Sequence, residues 1–344
     1  MDTTTTLQNA HAAKGRGPGN RLRWLPATLL SLAVAGPAQA VSIDAGDYTT
    51  LPGGTHLQVY YAQFAQSNNF KEDDEEVGDR ELQTQVGIYR AVQYYDIEGF
   101  GVIDPQILVP FGRADPENLP GGAAPDFESA TGIGDPILAM TWWPITDYEE
   151  RRHFGITPFI WVPIGSYNQN EPINFGENRW KAALQVGYIE GFGKSPWLVD
   201  VSADVQIHGT NDEFFAGTED FRIRDDPDTG ERRFQTQTLT TELEQDELYD
   251  VQGFLRYQTS NPGELISNEV NLRVRYLRGG EQRVGGVGLD DSQETVDLMA
   301  TYMHWFGGNK VQTLWQVGRD VHREEGFEED FRFQFRVLIP FLPE

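Results

Sequence analysis

Between Trp197 and His208 apolar and polar side chains alternate without a break. Trp197, Val199, Val201, Ala203, Val205 and Ile207 form one set, and Leu198, Asp200, Ser202, Asp204, Gln206 and His208 form the other. Successive side chains of an extended strand point to opposite faces, so this run has one apolar face and one wet, partly charged face. Two environments fit the pattern. One is a half-buried sheet in water; the other is a membrane barrel strand with lipid outside and a polar lumen inside.

Composition narrows the choice. None of the 344 residues is Cys, which removes a disulfide scaffold, a thiolate metal site and a cysteine nucleophile together. With 53 acidic against 27 basic side chains the chain repels phosphate backbones, and nucleic acid is not an expected partner. A mean hydropathy of −0.49 does not exclude a barrel, because half of every barrel strand and all of its loops are polar. Near the N-terminus Arg21 and Arg23 precede an apolar run, Leu25 to Ala35, and the small-residue site Ala38-Gln39-Ala40. This pattern reads as a secretory signal, so residues 1–40 are expected to be a cleaved leader and 41–344 a single exported domain. The alternative is a disordered tail with a chance apolar patch. The length of the leader suggests a true start nearer Asn20. Its apolar run is too short to span a bilayer as a helix, and no other segment approaches the roughly 18 apolar residues required. A membrane-embedded form must therefore be a closed barrel, since lipid does not tolerate an open sheet edge.

Alternation and turn residues mark strands at 55–65, 82–95, 100–111, 132–145, 153–165, 178–191, the Trp197 run, 247–259, 268–277, 293–306, 310–321 and 330–341. The connections after the odd-numbered strands are long and polar, among them an acidic loop through Lys71–Glu76 and a long loop from Thr210 to Gln245. Those after the even-numbered strands are short. Outer-membrane barrels have this asymmetry, with short periplasmic turns and long external loops. The expected fold is therefore all-β: a transmembrane antiparallel up-and-down β-barrel of about twelve strands in the outer membrane of a Gram-negative cell. Trp142, Trp143, Trp161, Trp180, Tyr188, Trp197, Tyr257, Trp305 and Trp315 suit the aromatic girdles of such a barrel. Lipid, lipopolysaccharide and the barrel-insertion machinery are the expected partners. The aromatics of the last strand, ending near Phe341, resemble the C-terminal signal read by that machinery, although Leu342-Pro343-Glu344 extends beyond the usual terminal Phe.

Four segments carry a family resemblance: Gly132-Ile133-Gly134-Asp135, Pro163-Ile164-Gly165-Ser166-Tyr167, Asn174-Phe175-Gly176-Glu177-Asn178-Arg179-Trp180 and Gly209-Thr210-Asn211-Asp212. They resemble the MetA-pathway phenol-degradation family, most specifically in the NFGENRW block. The resemblance implies an outer-membrane transporter associated with the breakdown of aromatic compounds. It supplies no residue-level site.

No catalytic constellation stands out. Of the six His none forms a metal-type spacing, and Asp204 and His208 on one strand are roughly 13 Å apart, too far to share an ion. No Gly-x-Ser-x-Gly elbow is present. An enzyme, a cofactor and a metal are thus not expected, with a spatially assembled barrel hydrolase as the least favoured alternative. The polar faces are more informative. Asp200, Asp204, Gln206, His208, Asp250, Arg256, Arg273, Arg275, Arg332 and Arg336 are expected to face the lumen. There the acidic groups meet Arg across strands, and either line a route for a small aromatic or hydrophobic solute, taken up or exported passively, or plug it. A non-transporting barrel with a structural or surface-interaction role is the alternative. The acidic loops either solvate the outer surface or bind divalent cations that bridge to lipopolysaccharide phosphates.

Overall fold

Lipid offers no hydrogen-bond partners, so every backbone N–H and C=O at membrane depth must be satisfied within the protein. The computed structural model, which describes residues 21–24, 42–76, 81–117, 129–225 and 232–343, meets that demand by closing a ring. Its strands are β1 (His56–Ser67), β2 (Glu81–Gln93), β3 (Gly101–Glu117), β4 (Ile137–Asp147), β5 (Arg152–Trp161) and β6 (Lys181–Gly191). They continue with β7 (Trp197–His208), β8 (Leu248–Gln258), β9 (Glu269–Gly279), β10 (Gln293–Phe306), β11 (Val311–Arg323) and β12 (Phe331–Phe341). Each pairs antiparallel with its sequence neighbours. β1 and β12 pair from His56↔Phe341 to Gln66↔Phe331, which leaves the sheet without an edge. The fold is the expected all-β barrel of twelve strands.

The alternation of β7 resolves as a lipid face and a lumen face. Trp197, Val201 and Ile207 are exposed on the outer surface, while Asp200, Ser202, Asp204 and Gln206 are buried inside. The same phase recurs on β9, where Val270, Leu272 and Val274 face out and Asn271, Arg273 and Arg275 face in. Tight turns join the even strands to the odd ones. Between β10 and β11 the chain reverses at Gly307, Gly308 and Asn309, all with positive φ, a conformation that favours Gly and Asn.

Several loop and girdle expectations are corrected. The segment Thr210–Gln245 is not a loop: Asn211–Asp225 and Arg232–Gln245 form a hairpin that stands on the external rim. Its polarity suggested a loop, but its Thr-rich second arm is β-branched and suits a solvated strand. The acidic stretch Lys71–Glu76 also carries structure, since Asn69–Glu72 pairs with Gly326–Glu328 and buries Phe70 edge-on against Phe327 at 5.1 Å. Strand β3 runs on past Gly112, and its end pairs with the short strand Ala130–Ile133. Among the girdle residues, Trp180, Tyr188, Trp197, Tyr257 and Trp315 are exposed on the outer face. Trp143 and Trp161 instead point into the barrel with 1% and 4% exposure, and Trp305 lines an internal cavity. The expected leader lies outside the described residues except for Arg21–Trp24, a short strand along Gly217–Asp220.

Leu272 on β9 lies in an outward row with Leu255, Ala300 and Val317 at the middle of the lipid face, and it is exposed there. A guanidinium placed at that depth is expected to cost about 2–4 kcal/mol. Leu272→Arg should lower the unfolding free energy of the protein folded into vesicles by that amount and move its urea midpoint down, whereas replacing Arg278, at the external end of the same face, should change it little.

Candidate functional site

The lumen is crossed by the chain's own N-terminal segment. Residues 42–52 form no regular strand, yet Ile43, Asp44, Ala45, Tyr48 and Thr50 are buried inside the ring. Arg273 on β9 donates to the Ser42 hydroxyl at 2.7 Å, and the Ile43 amide donates to Gln252 on β8 at 3.3 Å. The Gly46 amide donates to Asp200 on β7 at 2.8 Å. Asp44 accepts from Gln334 and Arg336 on β12, at 2.8 and 2.9 Å. Asp47 bridges Arg336 and Arg90 on β2, each at 3.0 Å. The Tyr48 hydroxyl bonds Gln185 on β6 and Thr157 on β5, both at 3.0 Å. The wall is shaped to receive that ring. A Cβ at Gly187 would stand 2.2 Å from the Tyr48 ring, and one at Gly155 3.0 Å from it.

This segment divides the lumen into chambers. The outer one, about 190 Å³, has an apolar wall that includes Leu82, Val86, Ile88, Leu108, Phe159 and Phe175. Its opposite wall carries Arg273, Arg275, Arg323 and Arg332, with Gln316, Gln334 and Glu329 among them, and Asp135, Glu177 and Lys181 also line the chamber. An inner chamber of about 110 Å³ lies toward the periplasmic turns, with Leu57, Val59, Val92, Met303 and Leu338 facing Arg90, Arg256 and Arg336. A gap of about 80 Å³ beside Ile43, Asp47 and Tyr48 lies between the two.

All ten sequence-derived candidates face the interior, but they divide into two roles. Arg273, Arg275 and Arg332 line the outer chamber, and Arg256 and Arg336 the inner one. The acidic members are engaged with partners. Asp200 accepts from Arg256 at 3.1 Å, and Arg256 also holds Glu269 at 2.8 Å. Asp250 pairs with Arg275 at 2.5 Å, while Asp204 accepts from Gln185 at 2.9 Å. Gln206 and His208 bond to each other at 2.8 Å, and the other His208 ring nitrogen contacts the Asp246 carbonyl at 3.1 Å. Sequence reasoning missed Asp297, which Arg273 and Arg275 share at 2.7 and 3.8 Å. It also missed Arg90, Asp44, Asp47 and Tyr48. Asp297 was recoverable from its lumen phase on β10. The segment has no period and sits next to the expected cleavage site, so no pattern marks it.

Three of the four signature segments meet at one external corner. Asp135 accepts from the amides of Gly165 at 2.9 Å and Glu177 at 2.8 Å. The Ser166 amide donates to the Ile133 carbonyl at 2.7 Å, and the Gly176 amide to the Ser166 carbonyl at 2.8 Å. The packing leaves no room for side chains: a Cβ at Gly165 would lie 2.7 Å from the Gly134 backbone, and one at Gly176 2.8 Å from that of Gly165. The fourth segment reaches the same corner, since Asn211 donates to the Glu177 carbonyl at 3.1 Å. Burial raises the Asp135 carboxyl above its ordinary value against these amide bonds. Burial would raise Glu177 too, but the charges of Lys181 and Arg179 outweigh it and hold Glu177 down to about 2.

Comparison with known proteins agrees with this geometry. The family described as "Putative MetA-pathway of phenol degradation" matches residues 65–337. The crystal structure of the COG4313 outer membrane channel from Pseudomonas putida F1 superposes with a TM-score of 0.73 at 28% identity, covering 87% of this chain and 100% of that one. The β domain of the Bordetella autotransporter BrkA gives a TM-score of 0.44 at 12% identity over 84% of this chain and 99% of its own. No curated protein matches the chain.

A carboxyl held at about 2 instead of 4.5 stabilises the folded corner fully above pH 4.5, and that contribution is lost as pH falls toward 2. Glu177→Gln should therefore lower the thermal midpoint in detergent at pH 7, and the gap between variant and wild type should shrink between pH 4.5 and 2.

Proposed function

The chain belongs to the family described as "Putative MetA-pathway of phenol degradation", and from that premise we propose which solutes this outer-membrane channel passes and how its lumen handles them. The barrel is an outer-membrane channel, similar in sequence and fold to the channel from Pseudomonas putida F1. Its solute is a small molecule with an aromatic or otherwise apolar body and a polar or anionic end, moving passively. The observation that carries this reading is the outer chamber. An apolar wall beside a row of guanidiniums suits a molecule with two unlike ends, because each wall desolvates only the end that it can compensate. Leu82, Val86 and Phe159 along the path favour a solute with an apolar body over a wholly hydrophilic one. The reading is transport, supported by the likeness to an outer-membrane channel and by an interior whose Arg groups line chambers along the barrel axis. Insertion machinery and lipopolysaccharide remain the partners expected of any such barrel.

Ser42 to Tyr48 must yield for a solute to pass from the outer to the inner chamber. This occluded state also supports the second reading, a barrel with a structural role and no flux. Two variants separate them. Gly187→Val drives a side chain into the space of the Tyr48 ring, and should raise single-channel conductance in planar bilayers and speed entry of small aromatic solutes into proteoliposomes. If conductance and entry both stay at the baseline of empty vesicles, the transport reading fails. Replacing Arg273 and Asp297 together by Gln and Asn removes a guanidinium without leaving a buried carboxylate unpaired. One lost charge-assisted hydrogen bond is worth about 1.5–3 kcal/mol, so benzoate entry should slow about ten- to a hundredfold while entry of neutral phenol changes little.

A further inference from the structure

We infer that Glu294, His322 and Glu324 form a divalent transition-metal site, of the zinc class, on the outer face of the barrel where the lipid belt meets the external water. Glu294 and His322 come from the external ends of β10 and β11, Glu324 is the first residue beyond β11, and the donor atoms of all three lie within 4.8 Å of one another. Ligands of one tetrahedral zinc ion with bonds of about 2.0 Å stand about 3.3 Å apart, so a closing of up to about 1.5 Å, shared between partly exposed side chains, completes the set. One imidazole with two carboxylates is a zinc donor set, and three protein ligands leave the fourth position to water.

Backbone geometry explains why these residues converge. Along β11 lumen-facing and outward residues alternate up to Asp320, which faces in. On that phase His322 would face in too. The ladder slips at this point, because Asp297 pairs with Asp320 while the adjoining Val296 pairs with His322, leaving Val321 as an extra residue. This β-bulge turns His322 to the outer face and sends Arg323 inward to Asp320 at 3.1 Å. His322 and Glu324 then lie two residues apart on the same face. Glu324 stands directly opposite Glu294, its amide donating to the Glu294 carbonyl at 2.9 Å. Like charges directly opposite across a ladder destabilise it. A cation between them reverses the sign of that contact and clamps the two strand ends together.

The level of the site follows from the register. Val274, Leu298 and Arg319 share one row, Tyr276, Val296 and His322 the next, and Arg278, Glu294 and Glu324 the last. The site therefore begins at the row of Tyr276 and ends in charged residues. Arg278 approaches Glu294 from the far side at 3.8 Å, and with 66% of its side chain exposed it can turn into water when an ion binds.

The site is separate from the lumen, and its test does not depend on transport. Zinc chloride titrated calorimetrically into the detergent-solubilised full chain at neutral pH should bind with a stoichiometry near one, in the presence of millimolar magnesium. His322→Ala and Glu324→Gln, both on the outer surface, should each weaken binding at least about tenfold, as loss of a ligand does. The zinc-dependent rise in thermal midpoint seen for the wild type should vanish in His322→Ala. Absence of zinc binding overturns the inference. Zinc affinity unchanged in both variants overturns it as well, because the ion is then held by other residues; so does a site that magnesium fills equally well, which reflects the carboxylates alone.

Discussion

Everything in this molecule follows from the absence of water in the hydrocarbon layer. A strand in lipid has to give away each of its backbone donors and acceptors, and the only way for twelve strands to do so is to close on themselves. Closure then fixes the side chains. With one face of each strand committed to lipid, the other face is confined to a narrow interior that must be filled or hydrated. In a soluble protein of this composition the charges would lie outside. Here Arg256, Arg273, Arg275 and Arg336 are nearly inaccessible, and the exposed residues are Leu272, Val274 and their like.

Pairing and hydrogen bonding offset the cost of burying a charge, and the Arg groups of the described interior are paired in alternating rows. Arg256 sits between Asp200 and Glu269, and Asp297 between Arg273 and Arg275. The barrel wall does not satisfy itself completely. Arg336 is compensated by Asp44 and Asp47, neither of which belongs to a strand. The N-terminal segment is therefore an electrostatic component of the folded interior as well as an obstacle in it.

How much of this was legible in the sequence depended on periodicity. The phase of β7, the twelve strands, the inward direction of all ten candidates and the ion pairs between neighbouring strands follow from a two-residue repeat combined with one outward-facing environment. Residues whose position is set by something else were not legible. Trp143 and Trp161 belong to the lumen phase, which their chemistry concealed. His322 reads as a loop residue because a single bulge inverts its phase. The four signature segments are far apart in the chain, and nothing in their spacing says that Asp135 would gather Gly165 and Glu177 at one corner. Ser42 to Tyr48 carries no period because it makes no ladder; its fold is dictated by a cavity that exists only after the barrel has closed.

That last dependence bears on which part of the structure moves. Opening the wall would break ladder bonds in a medium that cannot replace them, whereas shifting the segment exchanges side-chain contacts for water that enters behind it. The segment is held by ion pairs and single hydrogen bonds to seven strands, with one aromatic anchor at Tyr48 set between glycines. Each contact is individually modest once water competes for it. Much of the wall of each chamber, including Leu82, Val86 and Phe159 outside and Leu57, Val92 and Met303 inside, belongs to the ladder and does not depend on the segment. A rigid ring around a polar, exchangeable strap confines conformational change to the one stretch of chain whose hydrogen bonds water can take over.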